Sequence, residues 1–254
     1  MHVTKDAVKE GAKMELKEVD KEVMGRLLNE IKDFLTLHYS DIETAELIES
    51  NQLFIALRFL KSTYLEKRLK GLNDIKHLIE RIDAGIKQSQ RFQGDYSRMG
   101  KNQDQDMIGI NMGPGQKLKP PKWLSAEALK EWLIQQKVLE TVFGENTHLE
   151  IVKRTGSILK FLARQQALPA ETIDLIWKCQ QGKHEEMVRV VYNIIKDIVP
   201  FINLQYIDLF FTKIQSVSPQ HYDEKFLTFL KDFTQKALEN YYECKNTEAQ
   251  NGDS

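Results

Sequence analysis

Helix-breaking residues are scarce in this chain: its 254 residues include 13 glycines and 6 prolines. They also cluster, with Gly94, Gly100, Gly109, Gly113, Gly115, Pro114, Pro120 and Pro121 all falling between residues 92 and 122. Elsewhere the backbone is free to propagate long helices, because few missing amide hydrogens or flexible glycines interrupt the hydrogen-bond ladder. Cysteine is scarcer still. Cys179 and Cys244 are the only two, too few for a disulfide framework and without CxxC spacing. Reduced thiols in the cytoplasm, or in the nucleus, are the expectation. No run approaches the ~18 apolar residues that a membrane helix needs. Even Ile194 to Ile214 is cut by Lys196, Asp197, Asn203, Gln205, Asp208 and Lys213. Met1 to Glu22 is charged and has no apolar core of signal-peptide length. The formal charge is −1, so the basic excess of a general nucleic-acid binder is missing. Nor does any segment alternate apolar and polar residues as a half-buried strand would. Strands, a membrane span and a nucleic-acid partner are therefore not expected.

What is present is helical periodicity. Val23, Leu27, Ile31, Phe34 and Leu35 recur at spacings of three and four. Ser40 with Glu43, Thr63 with Glu66 and Thr147 with Glu150 have the spacing of capping boxes, in which hydroxyl and carboxylate satisfy the first free amides reciprocally. Behind Ser40 lie Ala45, Leu47 and Ile48, then Phe54, Leu57, Phe59 and Leu60; behind Thr63 lie Leu65, Leu69, Leu72, Ile75, Ile79 and Ile82. The segment 92–122 is poor in large apolar residues and reads as a long flexible insertion.

After Trp123 the pattern becomes regular. Ser125 caps a helix running from Leu129 and Trp132 to Phe143, stopped by Gly144. Leu149, Val152, Leu159 and Leu162 mark the next helix, and Pro169 suits the first turn of one lined by Ile173, Ile176 and Trp177. Met187 to Ile198 follows, ending near Pro200. Asn203 opens a helix with Ile207, Phe210, Phe211 and Ile214, and Ser218-Pro219 opens the last, with Tyr222, Phe226, Phe229, Leu230, Phe233 and Leu238. Six helices between residues 125 and 243 make about three antiparallel pairs of roughly 40 residues, the period of armadillo and HEAT solenoids. The fold class expected is all-α, an armadillo/HEAT-like solenoid of antiparallel helix pairs. Residues 1–22 form a charged N-terminal segment, 23–243 the repeat domain with its insertion at 92–122, and 244–254 a disordered tail.

Residues 55–82, 129–163 and 173–202 together resemble one known family. Their most distinctive pieces are Leu65 to Leu72, the turn from Phe143 to Glu150, Lys153, Ile176-Trp177 and Lys183-His184. In this order they are similar to the armadillo-like helical region upstream of the catalytic domain in giant ubiquitin-specific proteases of the fat-facets type. The resemblance covers roughly residues 50–240. It implies a surface that recruits substrates or partners of the ubiquitin pathway, and membership of a larger deubiquitinase polypeptide is an alternative reading. The insertion is longer than the family pattern suggests. The catalytic cysteine and histidine boxes of such proteases have no counterpart, since Cys179 lies in a Trp-Lys-Cys-Gln context and Cys244 in Glu-Cys-Lys.

The chemistry-bearing residues give the same negative result. Cys179, on an apolar helix, reads as a small buried hydrophobe. His184-Glu185 lacks the second histidine of a zinc helix, Val188 standing in its place. His148 reads as a partly exposed neighbour of a helix cap. The acidic stretch from Asp104 to Gly109 misses EF-hand ligands at Ile108 and Gly115, and Gly100-Lys101 is followed by Asn102 where a phosphate loop needs Ser or Thr. Lys61, Lys67, Arg68 and Lys70, interleaved with Glu66, read as a solvated helix face, and Lys117, Lys119 and Lys122 around Pro120-Pro121 as a soluble linker. The function expected is a non-catalytic protein–protein scaffold with no cofactor, no metal and no catalytic residue. A general HEAT/armadillo adaptor unrelated to ubiquitin is the remaining alternative.

Overall fold

The computed structural model describes the backbone of residues 41–99, 124–144 and 147–252, together with the exposed helical positions Val23, Arg26 and Glu30. Side chains are described over 49–84, 124–144 and 147–246. The N-terminal segment 1–22 and most of the insertion, including Asp104 to Gly109 and Lys117 to Lys122, lie outside these residues, as does Ser40.

The first long helix, α1 (Asp41–Leu60), is continuous and buries Leu53, Ala56, Phe59 and Leu60. Phe54 is 46% exposed, although the sequence pattern assigns it to the apolar stripe. A tight turn leads into α2 (Leu65–Met99). The hydroxyl of Ser62, one residue ahead of the expected Thr63, accepts the Tyr64 amide at 3.2 Å. The α2 stripe of Leu72, Ile75, Leu78 and Ile79 is buried. Gly71 permits the two helices to touch backbone to backbone, because a Cβ there would meet Ala56 O, and Leu60 N at 2.7 Å. Residues 92–99 continue α2 as helix, so the expected insertion begins later than residue 92. An existing helix adds one hydrogen bond per residue ordered, and the first glycine of this stretch is too weak a breaker to stop it.

Beyond the insertion, α3 (Ala126–Gln135) begins at the expected cap, Ser125 Oγ accepting the Ala128 amide at 3.1 Å. The single helix expected up to Phe143 is in fact two. Lys137 takes the left-handed conformation (φ 52°) and separates α3 from α4 (Val138–Phe143). The break is invisible in the sequence because the apolar pattern runs across it without glycine or proline. Leu129 and Leu133 on one side, and Val138, Leu139, Val142 and Phe143 on the other, all reach the core.

Three helix pairs then complete the stack: α4 with α5 (Leu149–Arg164), α6 (Glu171–Cys179) with α7 (Glu185–Ile198), and α8 (Leu204–Gln215) with α9 (Glu224–Gly252). Asn203 caps α8 as expected, its Oδ1 accepting the Tyr206 amide at 3.0 Å. Pro169 stands just ahead of α6, where its carbonyl accepts the Thr172 amide at 3.0 Å. Ser218-Pro219 opens a 3-10 turn (Pro219–His221) and not α9; Asp223 Oδ1 caps that helix through the Phe226 amide at 2.8 Å. Residues 244–252, read from composition as a disordered tail, extend α9 as helix, carried by propagation from the packed segment before them.

Helix α2 packs on α5, α5 on α7 and α7 on α9, while α4 packs on α6 and α6 on α8. The helices therefore form two rows, each unit burying its apolar face only against its neighbours, and the described residues form an all-α solenoid. One continuous core runs from Leu53 to Ala237. Phe210, Phe226, Phe229 and Phe233 are buried in it as expected, whereas Tyr222 and Leu238, assigned to the same apolar stripe of the last helix, are exposed; Tyr192 stacks on Phe229 with centroids 4.1 Å apart, and Phe211 meets Phe233 edge-on at 5.0 Å.

Candidate protein-interaction surface

Sequence equivalence between units shows in their polar rungs. The offset that takes His148 to His184 also takes Glu150 to Glu186, Lys153 to Arg189 and Lys160 to Lys196. Lys160 pairs with Asp197 of the next row helix at 2.9 Å, and Lys196 pairs with Asp232 of the one after, also at 2.9 Å. Near the other ends of the same helices, Lys153 reaches Glu186 at 2.7 Å and Lys225 pairs with Glu185. Pairs at both ends mean that α5, α7 and α9 run parallel, with their N-termini along one edge. Exposed pairs of this kind stabilise weakly, but they fix how each unit sits on the next.

That edge is built by two histidine caps. His148 Nδ1 accepts the Glu150 amide at 3.2 Å, and His184 Nδ1 accepts the Glu186 amide at 3.3 Å. The expected Thr147–Glu150 box does not form. The Thr147 hydroxyl donates instead to Gly144 O, which leaves His148 to enter the helix as its cap. Lys153 ties the two ends together by donating to Glu150 at 3.1 Å as well as to Glu186. Hydrogen bonds from Arg154 and then Lys153 hold the Glu150 carboxyl below the usual range, and the bond from Lys153 does the same for Glu186. His148, Lys153 and His184, three of the residues that carry the family resemblance, thus serve the joint between successive units.

Between the α4–α5 turn and the C-terminal end of α6 lies an open pocket of about 200 Å³, lined by Phe143, Gly144, Thr147, Lys178, Cys179 and Lys183. Cys179 is 5% exposed, its Sγ lies 3.9 Å from Met187 Sδ, and burial pushes its thiol pKa up. A protonated, buried thiol is a poor nucleophile, and this agrees with the small-hydrophobe reading of the sequence. Cys244 donates its Sγ–H to Asn240 Oδ1 at 3.3 Å. Arg68 departs from expectation. It is buried and donates to Thr141 O at 3.4 Å, bracing α2 against α4, so the cluster around Lys61 to Lys70 is not uniformly a solvated face. The pocket itself had no sequence signal, because its lysines flank a turn and match no motif.

The family model of the UBP24/USP9X/USP9Y ARM repeat matches residues 46–245. The chain belongs to this armadillo-repeat family. Its relatives include human ubiquitin carboxyl-terminal hydrolase 9Y, 24% identical over 173 residues, which are 68% of this chain and 6% of that protein. Human ubiquitin carboxyl-terminal hydrolase 34 is 46% identical over 59 residues, covering 23% of this chain and 2% of its own length. The probable ubiquitin carboxyl-terminal hydrolase FAF of Drosophila melanogaster is 28% identical over 95 residues, 37% of this chain and 3% of its own. The chain therefore spans a small fraction of these large hydrolases, and its described part is their kind of ARM-repeat region. Armadillo-type stacks present extended surfaces suited to protein binding.

Proposed function

We propose that this chain is a non-catalytic scaffold that recruits protein partners in ubiquitin-linked regulation. The observation that supports it best is the setting of the two thiols within a family-matched stack. Cys179 is buried against Met187, Cys244 donates to Asn240, and neither has a histidine among its hydrogen-bond partners in the described residues. Cysteine protease chemistry requires a thiolate activated by such a base and access for the substrate carbonyl. The rows of packed helices supply contact area, and the cap edge with its repeated rungs supplies the order in which contacts are offered. Free thiols suit a cytoplasmic or nuclear setting.

A second reading places the same surface inside a longer deubiquitinase. It is favoured by the small share of the relatives that the chain covers. In that setting the repeats choose the substrate while a separate domain cuts it. Both readings share one test, hydrolysis of a fluorogenic ubiquitin C-terminal amide by the purified 254 residues. No release above the buffer rate is expected. Release that is abolished by Cys179→Ser would overturn both.

A further inference from the structure

We propose that the outward face of α9 is a contact through which two copies of this chain pair, antiparallel and about a two-fold axis. The pairing goes beyond the scaffold reading and does not depend on which partner the scaffold recruits.

Helix α9 closes the row of described helices. One side of it packs on α7 and another on α8. The remaining side carries Glu224, Leu227, Lys231, Leu238, Tyr242 and Lys245, which at about 100° per residue fall within a stripe roughly 60° wide. Leu227, Leu238 and Tyr242 are 50%, 52% and 57% exposed. A solvated helix face is ordinarily polar, and large apolar side chains aligned along one mark a contact surface.

The order of the stripe names the occupant. An antiparallel second copy placed with its Leu238 against Lys231 also brings its Tyr242 against Leu227 and its Lys245 against Glu224. By symmetry each of these contacts occurs twice. The stem of Lys231 then covers the leucine, and its ammonium lies beside the neighbouring Glu239 of the second copy. No like charges of the stripe face each other in this register. Among the described residues neither Glu224 nor Lys231 forms an ion pair, although Lys225 and Asp232 beside them do. Lys245 lies over the Tyr241 ring of its own helix, 5.5 Å from the centroid, and Glu239 accepts a hydrogen bond from the neutral Gln235 at 3.0 Å. Their charges are thus available to the second copy. A partner of one charge sign would answer half of this pattern, whereas a second copy answers all of it.

The stripe is about 30 Å long. One helix pair meeting along it covers less than the roughly 800 Å² per partner of a standard interface, so the dimer is a weak one, micromolar or weaker.

The test is sedimentation equilibrium of the whole chain at low salt, from about 10 μM to about 1 mM. The weight-average mass is expected to rise with concentration toward twice the monomer, and Leu227→Glu/Leu238→Glu to stay monomeric throughout. Lys231→Glu and Glu239→Lys should each weaken the dimer about tenfold, and the double variant Lys231→Glu/Glu239→Lys should regain most of that loss. The exposed Lys178 on α6 is the control, and Lys178→Glu is expected to leave the association unchanged. Far-UV circular dichroism checks that the variants keep their helices. A monomer at every concentration would overturn the pairing and leave the face to another kind of partner. Association untouched by Leu227→Glu/Leu238→Glu, or a double charge reversal no better than the single ones, would overturn it as well. Ubiquitin amide hydrolysis decides the scaffold reading separately, so the two can fail independently.

Discussion

Gly71→Ala and Gly156→Ala add the same methyl group to two helix interiors and are expected to move stability in opposite directions. In a helix interior Ala is favoured over Gly by about 0.8–1 kcal/mol, mainly through backbone entropy. At Gly156 a new Cβ meets nothing within 4 Å, so most of that gain is retained, about 0.5–1 kcal/mol of stabilisation. At Gly71 the methyl would press on Ala56 O, lie 2.7 Å from Leu60 N and 3.1 Å from Phe59 Cβ. Two of these three atoms are backbone, so no side-chain rotation relieves the contact, and α1 must retreat from α2 by several tenths of an ångström. Overpacking of this kind costs about 1–3 kcal/mol or more and exceeds the propensity gain. Gly71→Ala should therefore be destabilised by about 1–2 kcal/mol net. Urea unfolding followed by helical circular dichroism reads both variants. A Gly71→Ala midpoint at or above that of the native chain would refute the close approach of α1 and α2.

Other expectations follow from the polar contacts. His148→Ala and His184→Ala should each cost about 1 kcal/mol through loss of an N-cap, and Asn at either position should restore most of it, read by urea midpoints. Asn240 is buried and donates to Val199 O at 2.6 Å and Ile202 O at 2.9 Å. Asn240→Leu strands both carbonyls and should lower stability by about 2 kcal/mol or more in the same assay. Acid should weaken the stack. Glu150, Glu185, Glu186, Asp174 and Asp232 are held below their ordinary range by hydrogen bonds led by those from Arg154, Lys225, Lys153, Lys213 and Lys196 respectively. A carboxyl that ionises more readily when folded stabilises the fold above its unfolded pKa and loses that contribution as pH falls through the folded one. With ordinary values of 4.5 for Glu and 3.8 for Asp, midpoints should be level near neutrality and decline below about pH 5. A midpoint that rises between pH 5 and pH 3 would contradict the assignment.

The stack was legible where local rules act alone. Ser125 and Asn203 cap their helices as their side chains suggest, and the stripes through Met187–Ile198 and Phe226–Phe233 are core because only a neighbouring helix can cover them. Misreadings arise where a competing contact decides. Thr147 had the spacing for a capping box, but its hydroxyl is taken by Gly144 O, and a histidine, an uncommon cap, replaces it. Ser218-Pro219 resembles a helix start, but Asp223 offers a charged acceptor to the orphan amides a turn later. The kink at Lys137 leaves no trace because a left-handed lysine looks like any other in sequence. Arg68 looked solvated because its neighbours are; only the packing of α2 against α4 reveals that it is buried. The pocket was out of reach for a related reason. Phe143 and Thr147 flank one turn and Lys183 lies in another, and nothing short of the stacked fold places them together.

The row order of the helices is the claim on which the rest depends, and a zero-length carbodiimide cross-linker tests it most directly, because it joins only amines and carboxylates already in contact. Peptide mapping should recover amide links between Lys160 and Asp197, Lys196 and Asp232, Lys153 and Glu186, and Lys213 and Asp174, whose ion-pair distances run from 2.5 to 2.9 Å. Each expected link joins helices of adjacent units. Links that skip a unit, joining α5 directly to α9, with these four missing, would contradict the stack and the surface built on it.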